Sequence, residues 1–138
     1  MRIGIDIGGS HIGIGLVDFN GKIIEKKEKN ITLDRYFDIK KFIETEIITV
    51  IKNWTNEKKY EIEGIGIGIP GIVKEGEVKY SVNLGISDYN LTKVLKKHIP
   101  QYDIKIKNDA KCAGLAEKKL GALKTYSDCI FICLGTGI

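Results

Sequence analysis

Ile3-Gly4-Ile5-Asp6-Ile7-Gly8-Gly9-Ser10-His11-Ile12-Gly13-Ile14-Gly15-Leu16-Val17-Asp18 decides how this chain is read. It opens as an alternating apolar strand, reaches an acid at Asp6 and turns through Gly8-Gly9. A second strand runs to Asp18, and Asn20-Gly21 supplies a hairpin turn into a third. A carboxylate followed by a glycine turn and a hydroxyl can cradle phosphate and its metal. Glycines let the backbone approach an anion, N–H groups can point at it, and a carboxylate can hold Mg²⁺ through water. An ordinary hairpin whose glycines serve only the turn reads equally well from this segment alone.

Two familiar phosphate motifs are excluded. No Gly-Lys-Ser/Thr follows, so this is not a Walker loop. Apolar alternation rather than a helix follows the glycines, so it is not a dinucleotide fingerprint. A phosphate loop between two antiparallel strands is the arrangement of actin-like and sugar-kinase-like ATPases.

The 138 residues are enough for one domain with a core, and 43% hydrophobic with 29% charged residues reads as globular. No apolar run reaches membrane-spanning length, so neither a signal peptide nor a membrane partner is expected. The net charge of +4 comes from scattered lysines without an arginine cluster or basic-aromatic stripe, so nucleic acid is not an expected partner. Cys112, Cys129 and Cys133 point to a reducing, cytoplasmic setting. They are expected to be buried as small apolar residues.

Further along, a helix is expected from about Asp34, its N-cap, to Trp54. Tyr36, Ile39, Ile43, Ile47, Val50 and Trp54 form its apolar stripe. Ile62 to Ile69 alternates with glycine, which leaves one face of a strand open to close approach. Pro70-Gly71 breaks that strand, Glu75-Gly76 turns a small hairpin, and residues 81–85 read as loop. Leu91 to His98 is a short helix, with His98 a helix-end residue rather than a ligand. A strand over 103–107 precedes a helix capped at Asn108-Asp109 and stopped at Gly121. Ser127 to Leu134 reads as another strand, and Gly135-Thr136-Gly137 as a second glycine turn. The fold class is α/β, a mixed sheet of three antiparallel strands followed by alternating helices and strands.

Asp6-Ile7-Gly8-Gly9-Ser10, Gly66-Ile67-Gly68-Ile69-Pro70-Gly71-Ile72-Val73, Asn83-Leu84, Asn108-Asp109-Ala110, Ala116-Glu117, Gly121-Ala122 and Leu134-Gly135-Thr136-Gly137 follow one another in this order. In that order they resemble the ROK family of repressors and sugar kinases, along the whole chain. The resemblance implies an actin-like (ribonuclease H-like) ATPase lobe and ATP with Mg²⁺ between two lobes. It divides the chain into an N-terminal lobe, 1–121, and the start of a second lobe, 122–138. In the family the larger second lobe carries the adenosine site, a Cys-rich structural zinc motif and a Glu/His set that grips the sugar. The chain is therefore expected to be the N-terminal lobe of a longer kinase, inactive by itself. The strand at 127–134 would lack its own sheet and is expected to be disordered or to pair with a second copy, making a homo-oligomer.

Roles follow from the resemblance and from chemistry. Asp109 is the candidate base that takes the proton of a sugar hydroxyl as it attacks the γ-phosphorus, at a helix start that favours a negative charge. Asn108 and Asn83 would orient the sugar, since an amide both donates and accepts, and Gly71 would let it approach. Gly8, Gly9, Ser10 and His11, with Gly135, Thr136 and Gly137, would face the phosphates, and Asp6 would hold Mg²⁺ through water. The bland alternatives are a helix cap at Asp109 and a turn residue at Asn83. Family members often carry Thr-Lys where this chain has Ser10-His11, and a Gly-Trp pair where it has Gly85-Ile86, so glucose itself is not implied. Two other functions compete. A sugar-responsive repressor would carry a helix-turn-helix before the first strand, where Met1 stands here. An actin-like ATPase without a sugar would not need Asn83 or Asn108.

Overall fold

A computed structural model describes residues 1–32 and 37–134. A five-stranded mixed sheet is built from β1 (Arg2–Ile7), β2 (His11–Val17), β3 (Ile23–Asn30), β4 (Gly64–Ile69) and β8 (Asp103–Asn108), in the order β3-β2-β1-β4-β8. β1, β4 and β8 are parallel, and β1-β2-β3 run antiparallel. A three-stranded antiparallel sheet, β5 (Ile72–Lys74), β6 (Glu77–Ser81) and β7 (Ile86–Tyr89), leaves the end of β4. Its first turn carries positive φ at Glu75 and Gly76, as a two-residue hairpin turn requires.

Strand alternation gives the main sheet two unlike faces. One carries Ile3, Ile5, Ile7, Ile12, Ile14, Leu16, Ile65, Ile67, Ile104 and Ile106, all buried. Helix α1 (Ile39–Lys52) joins this core through Ile39, Ile43, Ile47 and Ile51, spaced four apart. The helix is capped by Asp38, whose Oδ1 accepts from the Lys41 N–H at 3.0 Å. The expected cap at Asp34, and Tyr36, lie outside the described residues. Beyond Lys52 a π-helical turn, Asn53–Glu57, buries Trp54. Glu25 of β3 pairs with Lys58 just past that turn, and the Lys58 ammonium holds the Glu25 carboxyl below its ordinary value. Helix α2 (Leu91–Lys96) packs against α1, and His98 Nε2 lies 2.9 Å from Glu44 Oε1, so His98 serves the helix end.

The opposite face carries Gly4, Gly66 and Gly68 beside Asp6, Gly13 and Gly15. A Cβ added at Gly4, Gly13 or Gly66 would meet nothing within 4 Å. Helix α3 (Asp109–Leu120) touches this face at Gly68, and its last residue, Leu120, reaches Gly21 in the β2–β3 turn. No residue of α3 is buried.

Residues 86–89, just past the stretch read as loop, form β7; with only Ile86 and Tyr89 buried and Asp88 at φ +46°, it is too short and irregular to show as alternation. Two expectations are corrected here. Residues 127–134 are not a strand. A strand needs a neighbouring edge for its N–H and C=O groups, and this segment lies instead beside α3, with Phe131 against Gly114. Ile130, Ile132 and Leu134 are exposed, Ile130 at 86%. For the same reason Cys129 and Cys133 are exposed rather than buried, and Cys112 is half-buried. Gly121 does stop α3, but at φ −105°. Glu117 folds back over it: its Oε2 accepts from the Ala122 N–H at 3.0 Å, and a Cβ at Gly121 would displace that side-chain end.

Candidate active site

Parallel strands place the carboxyl ends of β1, β4 and β8 at one edge of the sheet, where open α/β sheets bind ligands. All the described candidate residues gather there. The Gly8-Gly9 turn is closed by the Gly8 N–H donating to the His11 carbonyl at 2.8 Å. A Cβ at Gly8 would press on that carbonyl at 3.3 Å, so the turn is tight. Ser10 is exposed, and its Oγ lies 3.4 Å from His11 Nδ1. His11 Nε2 lies 3.9 Å from Asp6 Oδ2, which places a base beside the acid. The Asp6 side chain is 66% exposed on the glycine face.

Asn83, far away in sequence, packs on this turn; a Cβ at Gly9 would lie 3.6 Å from Asn83 Cβ. On the other side of Asp6 stands Gly68, its partner in β4. A Cβ at Gly68 would lie 3.5 Å from the Asp109 Cα and 3.7 Å from Cys112 Sγ. Asp6 and Asp109 therefore flank one glycine. The Cys112 thiol sits within the field of both: burial pushes its pKa up, Lys107 opposes this, and Asp109 and Asp6 add to it.

The sugar-side candidates meet at the end of β8. Asn108 caps α3 through Oδ1, which accepts from the Lys111 N–H at 3.1 Å. Its Nδ2 donates to the Gly71 carbonyl at 3.1 Å. Asp109 is thus the first helical residue, not the cap, and its Oδ1 accepts from the Ala110 N–H at 2.8 Å. Gly71, at φ +112°, admits no side chain, because a Cβ would stand 2.2 Å from the Tyr80 carbonyl oxygen. Gly71, Val73, Ile106, Asn108 and two lysines, Lys107 and Lys111, line a cleft of ≈ 620 Å³. The lysines escaped the motif reading; their spacing around Asn108-Asp109, four apart across a helix start, was the available signal. Gly135, Thr136 and Gly137 lie outside the described residues.

Among the described residues no group of three or more His, Cys, Asp or Glu side chains could form a metal cage. One exposed carboxylate beside a glycine turn suits an ion held mainly by water and phosphate, as Mg²⁺ is with nucleotides.

A model of the ROK family matches residues 2–138. The chain belongs to the ROK family. It is 29% identical over 141 residues to a glucokinase of Halalkalibacterium halodurans, covering 99% of this chain and 42% of that protein. It is 27% identical over 139 residues to the xylose repressor of Bacillus subtilis, covering 99% of this chain and 35% of the repressor. The crystal structure of a ROK family glucokinase from Streptomyces griseus, in complex with glucose and AMPPNP, superposes with a TM-score of 0.76 at 24% identity, over 90% of this chain and 38% of that one. That likeness is one of fold: the ROK chain has the actin-like ATPase architecture. It spans less than half the length of each of these relatives. Among the described residues no helix is long and apolar enough to cross a membrane.

Proposed function

We propose that this ROK chain is the N-terminal lobe, 1–121, with the start of a second lobe, 122–138, of an ATP-dependent kinase that phosphorylates a hydroxyl of a hexose or N-acetylhexosamine. The observation that carries this reading is the pair Asp6 and Asp109 on either side of Gly68, with the glycine turn and Asn83 beyond one acid and Gly71 and Asn108 beside the other. Asp109 accepts the proton of the attacking hydroxyl. Asn83, Asn108 and the bare backbone at Gly71 orient the sugar. Gly8, Gly9, Ser10 and His11 face the phosphates, joined by Gly135, Thr136 and Gly137. Asp6 holds Mg²⁺ through water; the ion supplies neutralisation of phosphate charge when bound. The kinship with glucokinases supports the reaction class. The adenosine site falls outside these residues, so residues 1–138 alone are expected to give no turnover.

A coupled assay of the full-length protein with ATP, Mg²⁺ and a panel of sugars tests the reading. Sugar binding without any phosphoryl transfer would replace it with the second reading, a sugar-responsive repressor, which the xylose repressor kinship supports. Self-association is carried by the exposed Ile130, Ile132 and Leu134; sedimentation with and without residues 127–138 tests it.

A further inference from the structure

Three consecutive backbone N–H groups past the end of α3 converge on one residue. The Gly121 and Leu123 N–H groups donate to the Glu117 carbonyl at 3.0 and 3.3 Å. Between them, the Ala122 N–H donates to Oε2 of the Glu117 side chain at 3.0 Å. Ending a helix needs only main-chain bonds of the first kind. The carboxylate is an addition, and it stands against the local rule. The C-terminal end of a helix carries partial negative charge, which Lys118 and Lys119 answer and Glu117 opposes. Among the described residues no cation lies within 4.0 Å of that carboxylate. A residue that breaks its local preference is where a role beyond stability is sought.

Gly121 makes room for the contact. Its φ of −105° suits any residue, but a Cβ there would displace the end of the Glu117 side chain. These residues stand where the proposed first lobe gives way to the second. α3 starts with Asp109 and ends at this crossing. Its 12 residues make a rod about 18 Å long. The direction in which the chain leaves that rod sets where the second lobe, with Gly135-Thr136-Gly137, stands against Asp109.

We propose that Glu117 is a positioning residue that ties the crossing between the two lobes, through its carboxylate oxygen rather than its charge. This rests on the two-lobe kinase reading above. In the full-length protein Glu117→Ala is expected to lower kcat and raise the sugar KM together, each by about three- to tenfold, the worth of one hydrogen bond in an equilibrium. Glu117→Gln keeps an acceptor oxygen and should stay within about twofold of wild type in both constants. Gly121→Ala breaks the same bond from the other side and should match Glu117→Ala, and in the double variant the losses should not add. Wild-type constants in Glu117→Ala, a Glu117→Gln variant as impaired as the alanine one, or additive losses overturn the proposal. A second readout needs no turnover. In the 138-residue chain the Ala122 backbone amide should exchange at least about tenfold more slowly than an unstructured amide, in the wild type and in Glu117→Gln, and should lose that protection in Glu117→Ala. Fast exchange in the wild type overturns the tie itself. Protection that depends on residue 117, in a full-length protein that transfers no phosphate, keeps the tie and fails the kinase reading instead.

Discussion

The two faces of the main sheet are made from the same strands and differ in almost everything else. On one, isoleucines at every second position are sealed beneath α1. On the other, alternate positions are glycines, with Arg2, Asp6, Lys105 and Lys107 among them, and α3 lies over it without burying a residue. The first face holds the fold together; the second does little for stability and carries Asp6 at the edge where Asp109 joins it. Removing side chains from a sheet face gives up burial free energy, about 1.5–3 kcal/mol for each large apolar side chain forgone. What is gained is room for a helix start and a ligand to come close to the backbone.

The largest expected effect falls on the glycine side. Asp109→Asn in the full-length protein should cut turnover by about 10²–10⁴-fold, the typical worth of a general base, with sugar affinity and thermal midpoint near wild type. Asp109 makes no contact that an asparagine could not copy, since only the Ala110 N–H is bound. If turnover persists and the protein is merely less stable, Asp109 belongs to the structural face of the comparison and the mechanism is wrong.

Neighbouring residues of β4 give the sharpest contrast. Ile67→Ala removes a fully buried side chain and should destabilise by about 2–5 kcal/mol. Gly66→Ala puts a methyl where nothing lies within 4 Å, and should change stability by under about 1 kcal/mol, in the stabilising direction, because the unfolded chain loses freedom. Urea unfolding followed by Trp54, the one tryptophan and a buried one, measures both. A large loss from Gly66→Ala would mean that the glycine face is covered in solution.

A smaller effect belongs to the sealed side. Burial pushes the Tyr89 phenol up to about 12, with Glu44 and Asp38 adding to it. A raised folded pKa means that the folded state keeps its proton where the unfolded chain has lost it. The contribution is therefore whole below pH 10 and declines between pH 10 and about 12. Tyr89→Phe should flatten that alkaline decline.

What was legible in the sequence divides along the same line. Alternation and turn residues are local, so β1, β2, β3, β4 and the α3 start could be read directly, as could the Asp6 turn and Asn108-Asp109. Whether residues 127–134 form a strand depends on a partner edge, which no local pattern contains; Cys129-Ile130-Phe131 alternates well and pairs with nothing among the described residues. The Asn108–Gly71 bond was hidden for the same reason, and the packing of Asn83 on Gly9 depends on a chain crossing that no spacing reveals.

The least effect, and the most local test of the open face, is alkylation of Cys112. Its thiol lies over Gly68 between the two acids, half-buried, and burial raises its pKa, with the Asp109 and Asp6 charges adding to the rise. The thiolate is the nucleophile, so a raised pKa lowers reactivity at a given pH. Exposed Cys129 and Cys133 should therefore take up iodoacetamide first at pH 7.5, and Cys112 should gain most from a rise to pH 9. Asp6→Asn removes one of the charges that raise the thiol and should speed Cys112 by a modest factor without changing the other two, as read by peptide mass spectrometry. If Cys112 labels as fast as the exposed pair and ignores Asp6→Asn, α3 does not rest on Gly68 in solution, and the two acids do not share the glycine between them.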